Sequence, residues 1–204
     1  RRKDTKRFLM DYATVARDVY FSMSAEKSYF DTDRIFYEKT AALRPLTPKF
    51  TPEIDQWLRL IGESDVEKLF DWMATATWLE WPTAGIYFSG PRSAGKGLFA
   101  EGMARLWTTG APTDFGESVG SSFNADLLRC PLVWADEHIP GDHKGSNIGA
   151  IVRNFVGRSS FAVKRKHMPN ATLIGCPRLI LAANNESLLA FVGEQNNGLE
   201  DVDA

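Results

Sequence analysis

The chain predicts an α/β domain: a mainly parallel, twisted sheet flanked by helices and preceded by a small helical segment. Three observations lead there. From residue 83 onward, apolar runs of strand length alternate with helical periodicity, the punctuation of an α/β sheet. One of those strands, Ile86-Tyr87-Phe88-Ser89, runs straight into a glycine-rich loop and then a helical run of Leu98, Phe99, Met103, Leu106 and Trp107. Ahead of it, residues 51–82 carry apolar side chains at helical spacing.

Bulk properties narrow the class. A chain of 204 residues holds one domain with a good core, or a core plus a small appendage. With 44% hydrophobic and 25% charged residues it is an ordinary globular sequence. A net charge of -2 excludes general attraction to nucleic acid, so any such contact must come from a local patch. Cys130 and Cys176 are too few and too isolated for a zinc site or a disulfide framework. Both lie beside apolar runs, which predicts buried free thiols in a reducing compartment, the cytoplasm. No apolar run reaches membrane-spanning length and no secretory signal is visible, so no membrane partner is expected. The chain starts at Arg1 and its end lacks a helix stop, so a fragment truncated at the C-terminus is expected.

Residues 1–50 read as an N-terminal appendage or linker. Residues 1–7 are a basic leader, expected to be solvated. Residues 19–23 and 28–30 predict short strands around a turn at 24–27, and Pro45 and Pro48 mark a linker. Residues 51–82 read as the helical segment preceding the core. Thr51 is the expected N-cap, with Pro52 at the first helical position. Ile54, Trp57, Leu58 and Ile61 follow at helical spacing, and Gly62 stops the run. Ser64 to Glu67 predicts a capping box opening a second helix with Val66, Leu69, Phe70, Met73 and Trp78 on its apolar face; Pro82 ends it. Residues 83–204 are the core.

Four segments of the core carry chemistry. In the first, Gly90, Pro91, Arg92, Ser93, Ala94, Gly95 and Lys96 satisfy the phosphate-loop spacing, followed by Gly97. Glycines let backbone N–H groups curl around a phosphate, and the next helix points its positive end at it. The bland alternative is a tight glycine turn with a surface lysine. In the second, the apolar strand from Pro131 ends in Asp136 and Glu137, about forty residues after the loop. Asp136 suits Mg²⁺ and Glu137 suits polarising a water; an acidic turn is the alternative. His138 and His143 read as loop residues, because no third ligand has matching spacing. In the third, residues 161–174 have strand character on both sides of a turn at Pro169 and Asn170. Lys164, Arg165, Lys166 and His167 sit at its tip, with Arg153 and Arg158 upstream. Such a hairpin grips a phosphate backbone without reading bases, unless it is merely a solvated tip. In the fourth, the apolar strand from Pro177 ends in Asn184, placed to bond a terminal phosphate or orient water, or simply to make a turn.

These segments, in this order from Gly90 to Asn184, resemble the superfamily 3 helicases, the AAA+-like ring ATPases of small DNA viruses, phages and plasmids. Lys166-His167 and the run Gly175 to Asn184 look like the hairpin and Asn-terminated strand of the papillomavirus replicative helicase. The layout upstream, over residues 52–80, looks like the helicase half of phage and poxvirus-type primase-helicases; residues 1–50 match nothing. The resemblance implies ATP and Mg²⁺ as cofactors. Lys96 is then the residue on the outer phosphates, Asp136 on the metal, Glu137 on the attacking water and Asn184 on the γ-phosphate. Lys166 and His167 are the DNA contacts in the channel of a ring, a hexamer, that moves along single-stranded DNA, with a primase domain in the parent chain. Two features depart from the pattern. Gly97 stands where the family has a hydroxyl for Mg²⁺, and no Arg or Lys follows Asn184, so an arginine finger must lie beyond Ala204 or be absent, a truncated fragment being the simpler account. A nucleotide-dependent ring module that does not hydrolyse is therefore the main alternative. A small-molecule kinase ranks last, since it has no use for the hairpin.

Overall fold

In the computed structural model, residues 16–120, 124–136 and 148–184 are described. Glu137, His138, His143, the basic leader and everything after Asn184 lie outside them. The strands and helices run in the order β1 (Asp18–Ser22), β2 (Tyr29–Phe30), β3 (Ile35–Lys39), α1 (Pro52–Gly62), α2 (Val66–Thr75), β4 (Ile86–Ser89), α3 (Lys96–Ala104), β5 (Thr113–Asp114), α4 (Phe115–Gly120), β6 (Leu132–Asp136), α5 (Ile148–Val156), β7 (Ser160–Val163), β8 (Ala171–Ile174) and β9 (Arg178–Ala183).

The parallel sheet has the order β4-β9-β6-β5, and every neighbouring pair in it is parallel. Its two central strands are the most apolar. β9 buries Leu179, Ile180, Ala182 and Ala183, and β6 buries Leu132, Val133 and Ala135. Near-continuous apolar strands of this kind belong to a sheet covered on both faces. Helix α3 supplies one cover, with Phe99, Ala100, Met103 and Ala104 turned inward and Phe99 edge-on to Phe88 of β4 at 5.1 Å. The fold is thus mixed α/β, with a mainly parallel sheet flanked by helices.

A second sheet, β2-β3-β1-β8-β7, corrects the reading of the N-terminal strands. β1 and β2 both form, but they do not pair with each other. β1 lies between β3 and β8, parallel to both, while β2 turns back antiparallel onto β3, a strand the sequence reading missed. The reason is the turn after β2. Asp31 accepts the amides of Asp33 and Ile35 on its Oδ1 at 2.9 and 2.8 Å, and Arg34 takes a left-handed φ of 64°. This side-chain-locked turn sets the β2–β3 hairpin, and Tyr29 stacks on Tyr37 at 4.8 Å. Residues 18–39 therefore share a sheet with residues 160–174.

The helical pair also departs in detail. Pro52 opens α1 and Gly62 closes it, but the Thr51 hydroxyl makes no capping bond; its carbonyl accepts the Ile54 and Asp55 amides instead. The expected capping box is absent: residues 63–65 form a 3₁₀ turn, and α2 starts at Val66 with no side-chain cap. The corner is tight, since a Cβ on Gly62 would stand 3.0 Å from the Val66 Cβ. Because α2 ends at Thr75, Trp78 falls beyond the apolar stripe and is 57% exposed. Among the described residues, no helix is long and apolar enough to cross a membrane.

Candidate functional site

Strand β4 delivers the chain to the phosphate loop. The Gly90 amide donates to the Ala183 carbonyl at 3.2 Å, tying the loop's first residue to the end of β9. Gly90 (φ 148°), Ser93 (φ 61°) and Gly95 (φ 94°) then turn the chain back toward α3. Ser93 is the costly one, because a left-handed conformation opposes an L side chain. Helix α3 starts at Lys96, so its first amides and the positive end of its dipole open onto the loop.

The Lys96 ammonium donates to the carbonyls of Gly90 at 2.7 Å and Pro91 at 2.9 Å and to Asn184 Oδ1 at 3.0 Å. Two residues that the sequence singled out separately are thus in direct contact. Among the described residues, the buried Asn184 Nδ2 has no hydrogen-bond partner. An orphaned buried donor beside a lysine and a helix N-terminus suits an anionic oxygen.

Parallel pairing places the acidic strand beside this contact. Ser89 is in register with Ala183, and Asp136 with Ala182. The ends of β4, β9 and β6 therefore present Gly90, Asn184 and Asp136 along one sheet edge. With strands about 4.8 Å apart, the Asp136 backbone lies about 10 Å from that of β4. Asp136 is exposed. Among the described residues no cluster of three or more His, Cys, Asp or Glu could hold a metal; Mg²⁺ is usually held by one or two carboxylates together with phosphate and water. At Gly97 an added Cβ would meet nothing within 4 Å; packing does not demand the missing side chain.

The third segment is a hairpin in the other sheet, with β7 antiparallel to β8 and Val163 opposite Ala171. Lys164, Lys166 and His167 are exposed at its tip, and His167 has a left-handed φ of 59°. Arg165 turns inward, with its guanidinium 5.2 Å over the Phe21 ring and Nη2 donating to the Pro169 carbonyl at 3.2 Å. The base of the loop is clamped by Asn124. Its Oδ1 accepts the Lys164 amide at 2.7 Å, and its Nδ2 donates to the Ala162 carbonyl at 3.0 Å. Nothing in the sequence announced that clamp.

Arg178 was also missed, although a charge inside a buried apolar run is itself a signal. It is fully buried on β9 and spends every N–H it has. Nε donates to the Ala76 carbonyl, Nη1 to Trp81 and Cys176, and Nη2 to Thr75 and Trp78. These acceptors lie mostly just past the C-terminus of α2, where the helix dipole favours a cation. Burial lowers the guanidinium from its usual value, yet an arginine stays charged. Both thiols are buried and free, as expected. Burial raises each from its ordinary value, which makes them inert.

No family model matches the chain, and no curated protein matches it. Among solved structures it is similar to the C-terminal region of NrS-1 in its apo A form, with 13% identity over 89% of this chain and a TM-score of 0.65. A second apo structure of that region gives 14% identity over 90% of this chain and a TM-score of 0.63. The chain spans 48% of each of those structures. At this identity the likeness is one of fold.

Proposed function

We propose that this chain is the ATPase core of a superfamily 3-type replicative helicase of phage or mobile-element origin. It would work as a ring, a hexamer, on single-stranded DNA. The observation that carries the reading is the Lys96–Asn184 contact at the carboxyl edge of the parallel sheet, next to the end of the acidic strand. That edge, where strands end and a helix begins, is where open α/β sheets bind their ligands. In this reading the loop amides of residues 93–97 and the Lys96 ammonium hold the β- and γ-phosphates. The Asn184 Nδ2, unpartnered among the described residues, would donate to the γ-phosphate while Oδ1 keeps its bond from Lys96. Glu137 orients the attacking water. Bound Mg²⁺ supplies charge neutralisation, and Asp136 holds it directly or through water. Lys164, Lys166 and His167 contact the DNA backbone, while Arg165 holds the hairpin's shape.

The test is steady-state ATP hydrolysis by the chain extended past Ala204, with and without single-stranded DNA, beside Lys96→Ala and Glu137→Gln. DNA-stimulated turnover that both substitutions abolish supports a motor. ATP binding without turnover favours the second reading, a nucleotide-dependent DNA-binding ring that does not hydrolyse, which rests on Gly97. No ATP binding at all refutes both.

A further inference from the structure

The helical pair reaches the phosphate loop at Gly95. Trp57 of α1 lies against Gly95, so that a Cβ there would stand 3.0 Å from the indole Nε1 and 3.2 Å from Cζ2. Gly95 also has a φ of 94°. Two independent constraints thus demand glycine immediately before Lys96, the conformation and the ring lying on it.

Trp57 is presented from a well-anchored block. In the same helix Leu58 is buried, and the Arg59 guanidinium sits 5.3 Å over the Phe70 ring of α2. Helix α2 is tied to the lead-in of β4 by Trp72 Nε1, which donates to the Ala84 carbonyl at 2.7 Å, and to β9 by Arg178. The indole therefore stands on a support fixed to the strand that enters the loop and to the strand that ends at Asn184.

We infer that Trp57 is a positioning residue for the phosphate loop. Its ring holds the turn at residues 93–95 in the left-handed shape that aims the loop amides at a phosphate, so the loop is formed before the ligand arrives. A loop left to order itself on binding loses affinity, because each backbone residue fixed costs conformational entropy. The loss expected for a loosening equal to one residue's backbone freedom is on the order of ten-fold in dissociation constant. The inference rests on the nucleotide-binding reading for its consequence, but not for its geometry.

Two measurements on the intact chain separate them. Hydrogen exchange at the amides of residues 99–101, the first hydrogen-bonded ones of α3, with that of Phe99 donating to the Gly95 carbonyl at 3.0 Å, reports the brace directly. Trp57→Ala should speed exchange there, Trp57→Phe should restore most of the protection because it keeps a flat ring, and Leu58→Ala, which opens the core beside it, should leave those amides as they are. MgATP binding, measured well below the melting temperature of each variant, reports the consequence. Trp57→Ala should weaken it about ten-fold, Trp57→Phe far less, and Leu58→Ala not at all, although it melts earlier. Unchanged exchange in Trp57→Ala overturns the brace whatever ATP does. So does an equal loss of affinity in Trp57→Ala and Leu58→Ala, which marks a general effect of stability. If the unsubstituted protein fails to bind MgATP while Trp57→Ala still loosens those amides, the brace stands and the nucleotide reading falls.

Discussion

Replacing Arg178 by Met keeps an unbranched apolar stem and removes the guanidinium with its charge and its five donors. The cost follows from what the carbonyls have left. Thr75 and Trp78 retain a backbone partner each, since their carbonyls also accept the amides of Trp78 and Trp81. Among the described residues, the Ala76, Cys176 and Trp81 carbonyls accept from Arg178 alone. Three stranded carbonyls at about 1–3 kcal/mol each give a gross loss of roughly 3–9 kcal/mol. Relief from burying a cation offsets several kcal/mol of that. A net loss of about 3–5 kcal/mol is expected, a large share of the roughly 5–15 kcal/mol that holds a domain together. Chemical and thermal denaturation of Arg178→Met should show the midpoint falling by on the order of 10 °C. Arg178→Lys should land between, because three donors on one atom cannot reach five carbonyls on two segments. A change below about 1 kcal/mol in Arg178→Met, with an unaltered denaturant slope, would refute the argument; the guanidinium would then only break even against its own desolvation.

Further outcomes are expected. Gly97→Ser should fold normally and gain a few tenths of a kcal/mol as a helix position, because a Cβ there meets open space; a lower melting temperature contradicts this. If the motor reading holds, the same change should lower the Mg²⁺ concentration needed for half-maximal hydrolysis. Asn124→Ala removes the two side-chain bonds at the hairpin's base and should cost about 1–2 kcal/mol, with faster exchange at the Lys164 amide as the specific sign. Cys130 and Cys176, both raised by burial, should resist a thiol reagent in the native state and react fully in denaturant. Because their folded-state values lie above the unfolded ones, they stabilise the fold below the ordinary thiol range. That stability is lost as pH climbs through and beyond it, visible as a falling denaturation midpoint in alkaline buffer.

The parallel sheet was legible because each of its major strands is a short apolar run that ends in a distinctive residue: Gly90, Asp136 or Asn184. Period and punctuation carry that information locally. The second sheet was not legible in the same way. Whether β2 pairs with β1 or β3 depends on an Asp31 side chain folding back on its own turn, and β1 finds β8 from the far end of the chain. At the site, the sequence named Lys96 and Asn184 but could not say that they touch. It hid the supports altogether. Trp57 looks like any core residue of an amphipathic helix, Asn124 like any loop amide, and Arg165, counted with its basic neighbours, is held by Phe21 and Pro169. Contacts made across long stretches of chain leave no periodic trace.

The parallel pairing of β1 with β8 also governs when the protein can finish folding. About 150 residues separate Tyr20 from its partner Thr172. At roughly 5–20 residues per second, a ribosome makes the first strand about 8–30 s before the second. During that interval the nascent chain carries Tyr20, Phe21, Tyr29, Phe30, Phe36 and Tyr37 on two or three strands whose inner edge is unpaired, a ready template for another copy. Long-range closure of this kind is slow. Synthesis at low temperature, or with a chaperone that shields extended aromatic segments, should therefore raise the soluble yield more than any change to the nucleotide site.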